Sequence, residues 1–544
     1  MEFNVLIGGE AGQGAFSVEL ELTEILTRLN YYFFATKNYM SRVRGGHNFH
    51  MIRIADHPVH ALRGGQWDMV IALDAEAESR HKQNIRDKGI YLAPASAREI
   101  EKEARDRFRD VRAANNILVG IVLSVIGVSR QILAEAAKPE NLEHLTAGLE
   151  FAQRWNLAET CPVSPKAVCP CKLDGNQAIA LGAIIGGCQF MAGYPMTPAT
   201  SIMHYFATAA QRMPVHFEQA EDEISAINMA LGASYAGIRS MTATSGGGFA
   251  LMQEGVSLSG MTETPIVIAV SQRPGPATGL PTRTEQGDLN FVLQAGHGEF
   301  PRIIFAPGSI DETIMLAAKS FELADRYQIP VFLLTDQYLA DSVQLTDEKI
   351  PAAAQSREHL IFDNTYRRYR LTADGISPLT CPGLSDALVK VDSDEHDEEG
   401  KITEDLTLRT RMVEKRRGKG ERLLIDAVPP ALYGYKDAGT VIICWGSNKL
   451  IVKEAQEMLA REGIETAVLH FGQVYPLTAD MIAPWGLASK KLICVENNAE
   501  GQFASLMKRE LGLDATHRLL KYNGECFTVE ELYQNIKQLL SGRS

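Results

Sequence analysis

The feature that most restricts how this chain folds is a recurring unit: a short apolar run, a turn of small residues, then a helical stretch. Residues 3–8 run into Gly8-Gly9-Glu-Ala-Gly12-Gln-Gly14, and an amphipathic helix is expected over residues 16–29. Residues 190–192 run into Gly193-Tyr-Pro-Met-Thr197-Pro198, and residues 239–244 run into Ser245-Gly-Gly-Gly248 ahead of another helix. The runs 265–270, 302–306 and 330–335 read as buried strands, since strands covered on both faces lose the polar alternation of half-exposed ones. A helix expected over residues 312–326 separates the last two. This alternation predicts α/β architecture with a doubly wound sheet. In such sheets ligands sit beyond the C-terminal strand ends. Thr197, Ser245 and Arg273 each follow a strand in this way, so topology predicts that they converge on one crevice.

A length of 544 residues predicts three or four domains, and the pattern along the chain reads as three α/β domains joined by two connecting segments. The expected boundaries are 1–160, a Cys/Pro linker over 161–173, a second domain over 174–350, an acidic-then-basic connection over 351–435, and a third domain over 436–544. A net charge of -13 without a basic block argues against nucleic-acid binding. No apolar run reaches membrane-spanning length, and the start Met-Glu-Phe-Asn lacks a signal-peptide pattern. Eight cysteines in so long a chain do not make a disulfide scaffold, so a reducing cytoplasm is expected. Cys161, Cys169 and Cys171 crowd the linker. Their spacing fits neither C-x-x-C pairs nor a ferredoxin run, and no fourth ligand is evident, so we read them as free thiols rather than a metal site.

The first glycine turn, with Gly12 and Gly14 ahead of a helix, has the geometry that presents backbone N–H groups to a phosphate. A tight turn with close helix packing explains it equally. No acidic residue is placed for a ribose, so the fit to a dinucleotide fingerprint is poor. Ser41-Arg42-Val-Arg44-Gly45-Gly46-His47 follows, two arginines and two glycines that suit an anion. In the second domain, Glu221, Asp222 and Glu223 fall in the first turn of a helix, where carboxylates favour the dipole. Glu223 shares a face with Ile227 and so turns towards the core, where a carboxylate needs a partner. The acidic run from Asp392 to Asp405 and the basic helix over 409–422 read, on charge alone, as a solvated loop and a charged helix.

Tyr-Pro-Met-Thr-Pro, the Glu-headed helix, Thr242-Ala-Thr-Ser-Gly-Gly-Gly248 and Gln272-Arg273-Pro-Gly-Pro-Ala-Thr-Gly-Leu-Pro-Thr282-Arg283-Thr-Glu-Gln-Gly-Asp288 together resemble the alpha subunit of 2-oxoacid:ferredoxin oxidoreductases. The first 160 residues resemble the family's gamma subunit, so nearly the whole chain resembles a fused gamma–alpha polypeptide. The resemblance implies thiamine diphosphate as cofactor, with this chain as the pyrimidine-binding half. It implies Glu223 against N1′ of the aminopyrimidine, Glu221 and Asp222 being register-shifted alternatives. It implies Thr197 and Ser245 near the cofactor, and Thr197, Arg273 and its companion Thr282 on the 2-oxoacid. His396 and Asp397 become substrate-proximal by the same resemblance, and Gly12, Gly14 and Arg44 approach coenzyme A. The last 109 or so residues resemble the transketolase C-terminal domain, with a structural and subunit-contact role.

The chain contains Leu-Asp174-Gly175 and Ala-Asp374-Gly375 but no Gly-Asp-Gly, and it has no paired C-x-x-C runs. The resemblance therefore implies a beta subunit that carries the diphosphate site, its Mg2+ and a [4Fe-4S] cluster, ferredoxin as electron acceptor, and an (alpha-beta)2 assembly. The chain alone is expected to be inactive. 2-Oxoglutarate is the expected substrate, with pyruvate or a broad range of acids open. A non-oxidative thiamine-dependent decarboxylase and a non-catalytic nucleotide- or coenzyme A-binding regulator are the rival readings.

Overall fold

The computed structural model describes residues 1–40, 46–167, 171–346 and 363–541, which divide into two compact units. The first contains residues 1–174, 341–346 and 528–541 of the described chain. Its seven-stranded sheet runs in the order Ile85–Leu92, Trp67–Ala72, Glu2–Glu10, His47–Ala55, Tyr32–Asn38, Val343–Thr346, Cys171–Asp174. The sheet is mixed: Glu2–Glu10 pairs parallel with Trp67–Ala72 and antiparallel with His47–Ala55. The helix Ala113–Val125 is buried at every position but Asn115 and Asn116, which makes it the centre of this unit's core.

Two segments lie outside the boundaries expected from sequence. Val343–Thr346 fills the gap between Tyr32–Asn38 and Cys171–Asp174, so the open ladder of the first domain gains a partner from far along the chain. The helix Val529–Leu540, expected in the third domain, joins the first unit. It buries Val529, Leu532, Tyr533 and Ile536, and Glu530 accepts the N–H of Gly64 at 2.7 Å.

The second unit holds residues 175–340 and 363–527 of the described chain. One sheet runs Gln473–Tyr475, Ile303–Phe305, Pro330–Asp336, Ile266–Gln272, Ser240–Thr244, Phe190–Gly193, His216–Gln219, all parallel but the first. The other runs Ala431–Gly434, Ala467–Phe471, Thr440–Trp445, Lys491–Glu496, His517–Leu520, again parallel but for the first. The second and third expected domains thus form one unit. Gln473–Tyr475 crosses over as an edge strand, and Val270 and Leu334 share a core with Ile443, Trp445 and Phe471. The helix Leu406–Leu423 is not the solvated element that its charge predicts, because Met412, Lys415, Arg416, Lys419 and Leu423 are buried. No helix among the described residues is long and apolar enough to cross a membrane.

Strand order decides where a site can form. From Phe190–Gly193 the chain goes first to His216–Gln219 on one side and then to Ser240–Thr244 on the other. Connections diverge at that point, which opens a crevice beyond the carboxyl ends of the central strands.

Candidate active site

Four adjacent parallel strands deliver side chains to this crevice, each from its C-terminal end. After Phe190–Gly193 the turn brings Met196 to the Thr244 hydroxyl, which donates to its Sδ at 4.0 Å. After Ile266–Gln272, the Arg273 guanidinium donates to the Thr197 carbonyl at 2.7 Å. After Ser240–Thr244, Ser245 is fully buried at the start of the short helix Gly246–Leu251. After His216–Gln219, Asp222 caps the helix Glu223–Tyr235 and accepts the Ser225 N–H at 2.7 Å. That bond occupies Asp222, and Glu221 is exposed. Glu223 is the inward carboxylate, only 3% exposed.

Glu223 lies in a cradle. A Cβ at Gly248 would stand 2.4 Å from its Oε1 and 2.2 Å from the Thr244 hydroxyl, so only glycine fits beneath it. Yet Glu223 Oε1 has no hydrogen-bond partner among the described residues, and neither do Ser245 Oγ or Asp288 Oδ2. Buried polar atoms in folded proteins are nearly all satisfied, so a group of orphans at one strand-end crevice is the mark of an incoming ligand. A buried carboxyl group without a partner fits the ring nitrogen of an aminopyrimidine, because one proton shared between the two makes the hydrogen bond.

Asp288 is the participant that the sequence did not disclose. It follows the glycine-rich loop after Arg273, and its N–H donates to the Gln272 side chain at 2.9 Å. A Cβ on Gly246 would fall 2.6 Å from its Oδ2. Burial pushes its carboxyl up to about 6, against the opposing attraction of Arg273. The sequence signal was its place beside Gly287 before a buried helix; nothing in that pattern shows that it faces an arginine fifteen positions back.

The C-terminal sheet holds this loop from behind. Gln286 is fully buried. It donates to the Trp445 carbonyl at 3.0 Å, and its Oε1 accepts from the Asn448 side chain at 2.8 Å and from the Asn497 N–H at 3.0 Å. Gln502 binds the Asn290 N–H at 2.9 Å and the Gly287 carbonyl at 2.8 Å. The region expected to be merely structural therefore positions the segment that carries Asp288.

Other expected residues are placed differently. Thr282 is partly buried in a loop where the Leu280 N–H closes on the Pro274 carbonyl, and it makes no hydrogen bond to Arg273. His396 and Asp397 do not join the crevice. The His396 ring is fully buried with its centroid 3.8 Å from that of Tyr369, and its Nδ1 meets the Asp394 carbonyl. The Asp397 carboxylate accepts the N–H groups of Glu399 and Lys401, which closes its own turn. Local hydrogen bonds engage the Asp397 carboxylate, whereas His396 is packed on Tyr369 with its Nε2 left without a hydrogen-bond partner among the described residues. In the first unit, Gly12 and Gly14 adopt left-handed φ of 95° and 98°. A Cβ on Gly14 would meet the Asn115 side chain at 2.1 Å, whereas Gly12 faces open space. The Ala11 N–H donates to the Gly46 carbonyl at 3.3 Å, which sets the glycine turn against the end of the Arg-Gly-Gly element. Arg44 and Cys169 lie outside the described residues.

In sequence and fold the chain matches known proteins. Residues 181–415 match the pyruvate flavodoxin/ferredoxin oxidoreductase, thiamine diphosphate-binding family, and residues 4–152 match the pyruvate ferredoxin/flavodoxin oxidoreductase family. The class is thus that of thiamine-dependent oxoacid oxidoreductases. The 2-oxoacid:ferredoxin oxidoreductase subunit alpha of Saccharolobus solfataricus is 30% identical over 99% of this chain and 98% of its own. The 2-oxoglutarate synthase subunit KorA of Methanocaldococcus jannaschii is 33% identical over 60% of this chain and 88% of its own. The solved 2-oxoglutarate:ferredoxin oxidoreductase from Magnetococcus marinus, with 2-oxoglutarate, coenzyme A and succinyl-CoA bound, is 28% identical and superposes with a TM-score of 0.88 over 99% of both chains. The chain belongs to the alpha-subunit family of 2-oxoacid:ferredoxin oxidoreductases, in the form that carries a gamma-type region at its N-terminal end.

Proposed function

We propose that this chain supplies the pyrimidine half of the active site in an enzyme that converts a 2-oxoacid and coenzyme A into an acyl-CoA, CO2 and two electrons for ferredoxin. 2-Oxoglutarate, giving succinyl-CoA, is the substrate we favour, and the likeness to the Magnetococcus marinus enzyme supports it. The observation that carries the reading is the buried, unpartnered Glu223 carboxylate at the switch point of the sheet. Thiamine diphosphate, when bound, supplies the electron sink that lets the 2-oxo carbon part from its carboxylate. Glu223 would hold the ring nitrogen of the pyrimidine through a shared proton, in a position that little water reaches. Arg273 presents a permanently charged planar fork to the substrate carboxylate. The Thr197 carbonyl fixes one arm of that fork, and Thr197 itself sits beside the substrate carbonyl. Ser245, at the head of its helix, faces the cofactor.

The remaining parts come from elsewhere. The diphosphate, Mg2+ and a [4Fe-4S] cluster belong in this proposal to a beta subunit, the pair forming an (alpha-beta)2 complex in the cytoplasm. The gamma-type region takes coenzyme A at its Gly12–Gly14 turn, with Arg44 as the expected cation. Anaerobic viologen reduction by the chain co-purified with its partner tests all of this. Coenzyme A-dependent reduction, fastest with 2-oxoglutarate among a panel of 2-oxoacids, is expected. No reduction by a complex shown to carry thiamine diphosphate and clusters would overturn the reading.

A further inference from the structure

A second cleft opens at the opposite end of the sheet that carries the crevice. Arg239 immediately precedes the strand Ser240–Thr244, and Ser245 follows it. Five residues of strand span about 17 Å, so the two ends are separate surfaces. The cleft has a volume of about 730 Å3, and Arg239, Arg326, Arg370 and Arg422 line it. The chain's net charge is -13, so four guanidinium groups on one cleft run against the background.

Two of the four are committed to structure. Arg239 pairs with Asp325 at 2.6 Å and donates to the Gly186 carbonyl at 2.8 Å. Arg326 pairs with Asp426 at 2.5 Å and Glu322 at 2.6 Å. Arg370 and Arg422 are exposed, and neither guanidinium forms an ion pair or hydrogen bond with another described residue. The acid on the same wall, Asp374, already accepts the Ile376 N–H at 3.0 Å, and Arg422 merely lies near enough to favour its charge. Stabilisation of a helix C-terminus accounts for Arg422, which sits in the last turn of Leu406–Leu423. It does not account for Arg370, which lies on irregular backbone and converges on the same space. Ile376, Pro378 and Leu379 add apolar lining to the cleft.

We propose that this cleft binds a phosphorylated small molecule, with Arg370 and Arg422 gripping its phosphoryl oxygens and the apolar wall taking its organic part. Guanidinium forks match phosphoryl oxygens two at a time. The volume is that of a small-molecule site rather than of a lone anion. No group that lines the cleft also lines the crevice, so the site stands independently of the oxidoreductase reading.

The test is calorimetric titration of the full chain with phenyl phosphate, with benzoate as the carboxylate of matched body. Saturable binding of phenyl phosphate is expected, at least about tenfold tighter than benzoate. The double variant Arg370→Ala/Arg422→Ala should lose at least about tenfold in affinity, with no more than the small fall in melting temperature that loss of one helix-terminal cation brings. Its basal turnover in the assembled complex should be unchanged, since neither arginine reaches the crevice. Absence of saturable binding, equal affinity for benzoate, or unchanged affinity in the double variant would each overturn the proposal.

Discussion

Two buried carboxylates in the second unit, Glu223 and Glu263, have opposite fates. Glu263 is 1% exposed and ion-paired on both sides: Lys415 donates to its Oε1 at 2.5 Å, and the Lys419 ammonium lies 2.5 Å from its Oε2. Arg368 donates to its carbonyl at 2.7 Å, and Lys419 also donates to the Gln328 carbonyl at 3.1 Å. Burial alone would push the Glu263 carboxyl up, but the attraction of Lys419, Lys415 and Arg368 outweighs it and holds the group well below the usual carboxylate range. Glu223 is as deeply enclosed and has an oxygen with no partner among the described residues. A buried charge that the protein neutralises itself fastens two segments together, here the irregular connection to the sheet. A buried carboxylate left open is kept for something that arrives.

Substitutions at each carboxylate should break that contrast in different observables. Glu223→Gln should lower turnover of the assembled complex by about 10²–10⁴, the usual contribution of an acid–base group, while the chain's melting temperature holds; steady-state viologen reduction and calorimetry read the two effects. Retained turnover would remove Glu223 from its role. Glu263→Gln should do the reverse. It leaves two buried lysines facing each other, and losing one partner of a buried ion pair costs about 3–5 kcal/mol, visible in denaturant unfolding. A cost below roughly 1 kcal/mol would mean that the cluster is no anchor. The sign of its pH dependence is also set. The Glu263 carboxyl lies below its ordinary 4.5, so the stability it brings is complete above that value and drains away as pH falls through the folded value. Glu263→Gln should lack that acid-side loss.

Arg273→Ala sharpens the comparison from the substrate side. Loss of a charge-assisted pair is expected to raise the Michaelis constant for the oxoacid about 10–100-fold, with a smaller change in kcat; an unchanged constant would release Arg273 from carboxylate binding. The smallest effect concerns Asp288, whose carboxyl is raised from 3.8 to about 6. Its folded state prefers the proton, so its stabilising contribution is complete below 3.8 and is lost as pH rises through about 6. Asp288→Asn should therefore stabilise the ligand-free chain at pH 8 by on the order of 2 kcal/mol, with the gain vanishing towards pH 4. Unfolding curves at the two pH values test this, and an equal effect at both would show that the burial of Asp288 has no electrostatic cost.

Local pattern carried a definite part of this structure. The apolar runs before Gly193, Ser245 and Arg273 announce strands because a buried strand needs little beyond a short β-branched or aliphatic run, and the residues just after them fall at strand ends by topology. Glu223 was singled out by its phase with Ile227 along one helix. What the local pattern leaves out is whatever depends on distant partners. On charge alone His396 and Asp397 read as part of a solvated acidic loop, and only the tertiary structure packs His396 on Tyr369 and closes the Asp397 turn to Lys401. Lys415 and Lys419 read as surface charge until Glu263, some 150 positions earlier, is brought between them.

Sequence by itself determined the α/β class, the strand-end places of Thr197, Ser245 and Arg273, the place of Glu223 at the head of a helix, and the family, because each rests on residues close together in the chain. Tertiary structure alone decided that Val343–Thr346 completes the first sheet, that Val529–Leu540 returns to the first unit, and that Asp288 stands by Arg273. It also decided which buried charges are satisfied. Ladder pairing, desolvation and charge neutralisation are settled by neighbours in space, and contacts between positions so far apart leave no periodicity for a local reading to find.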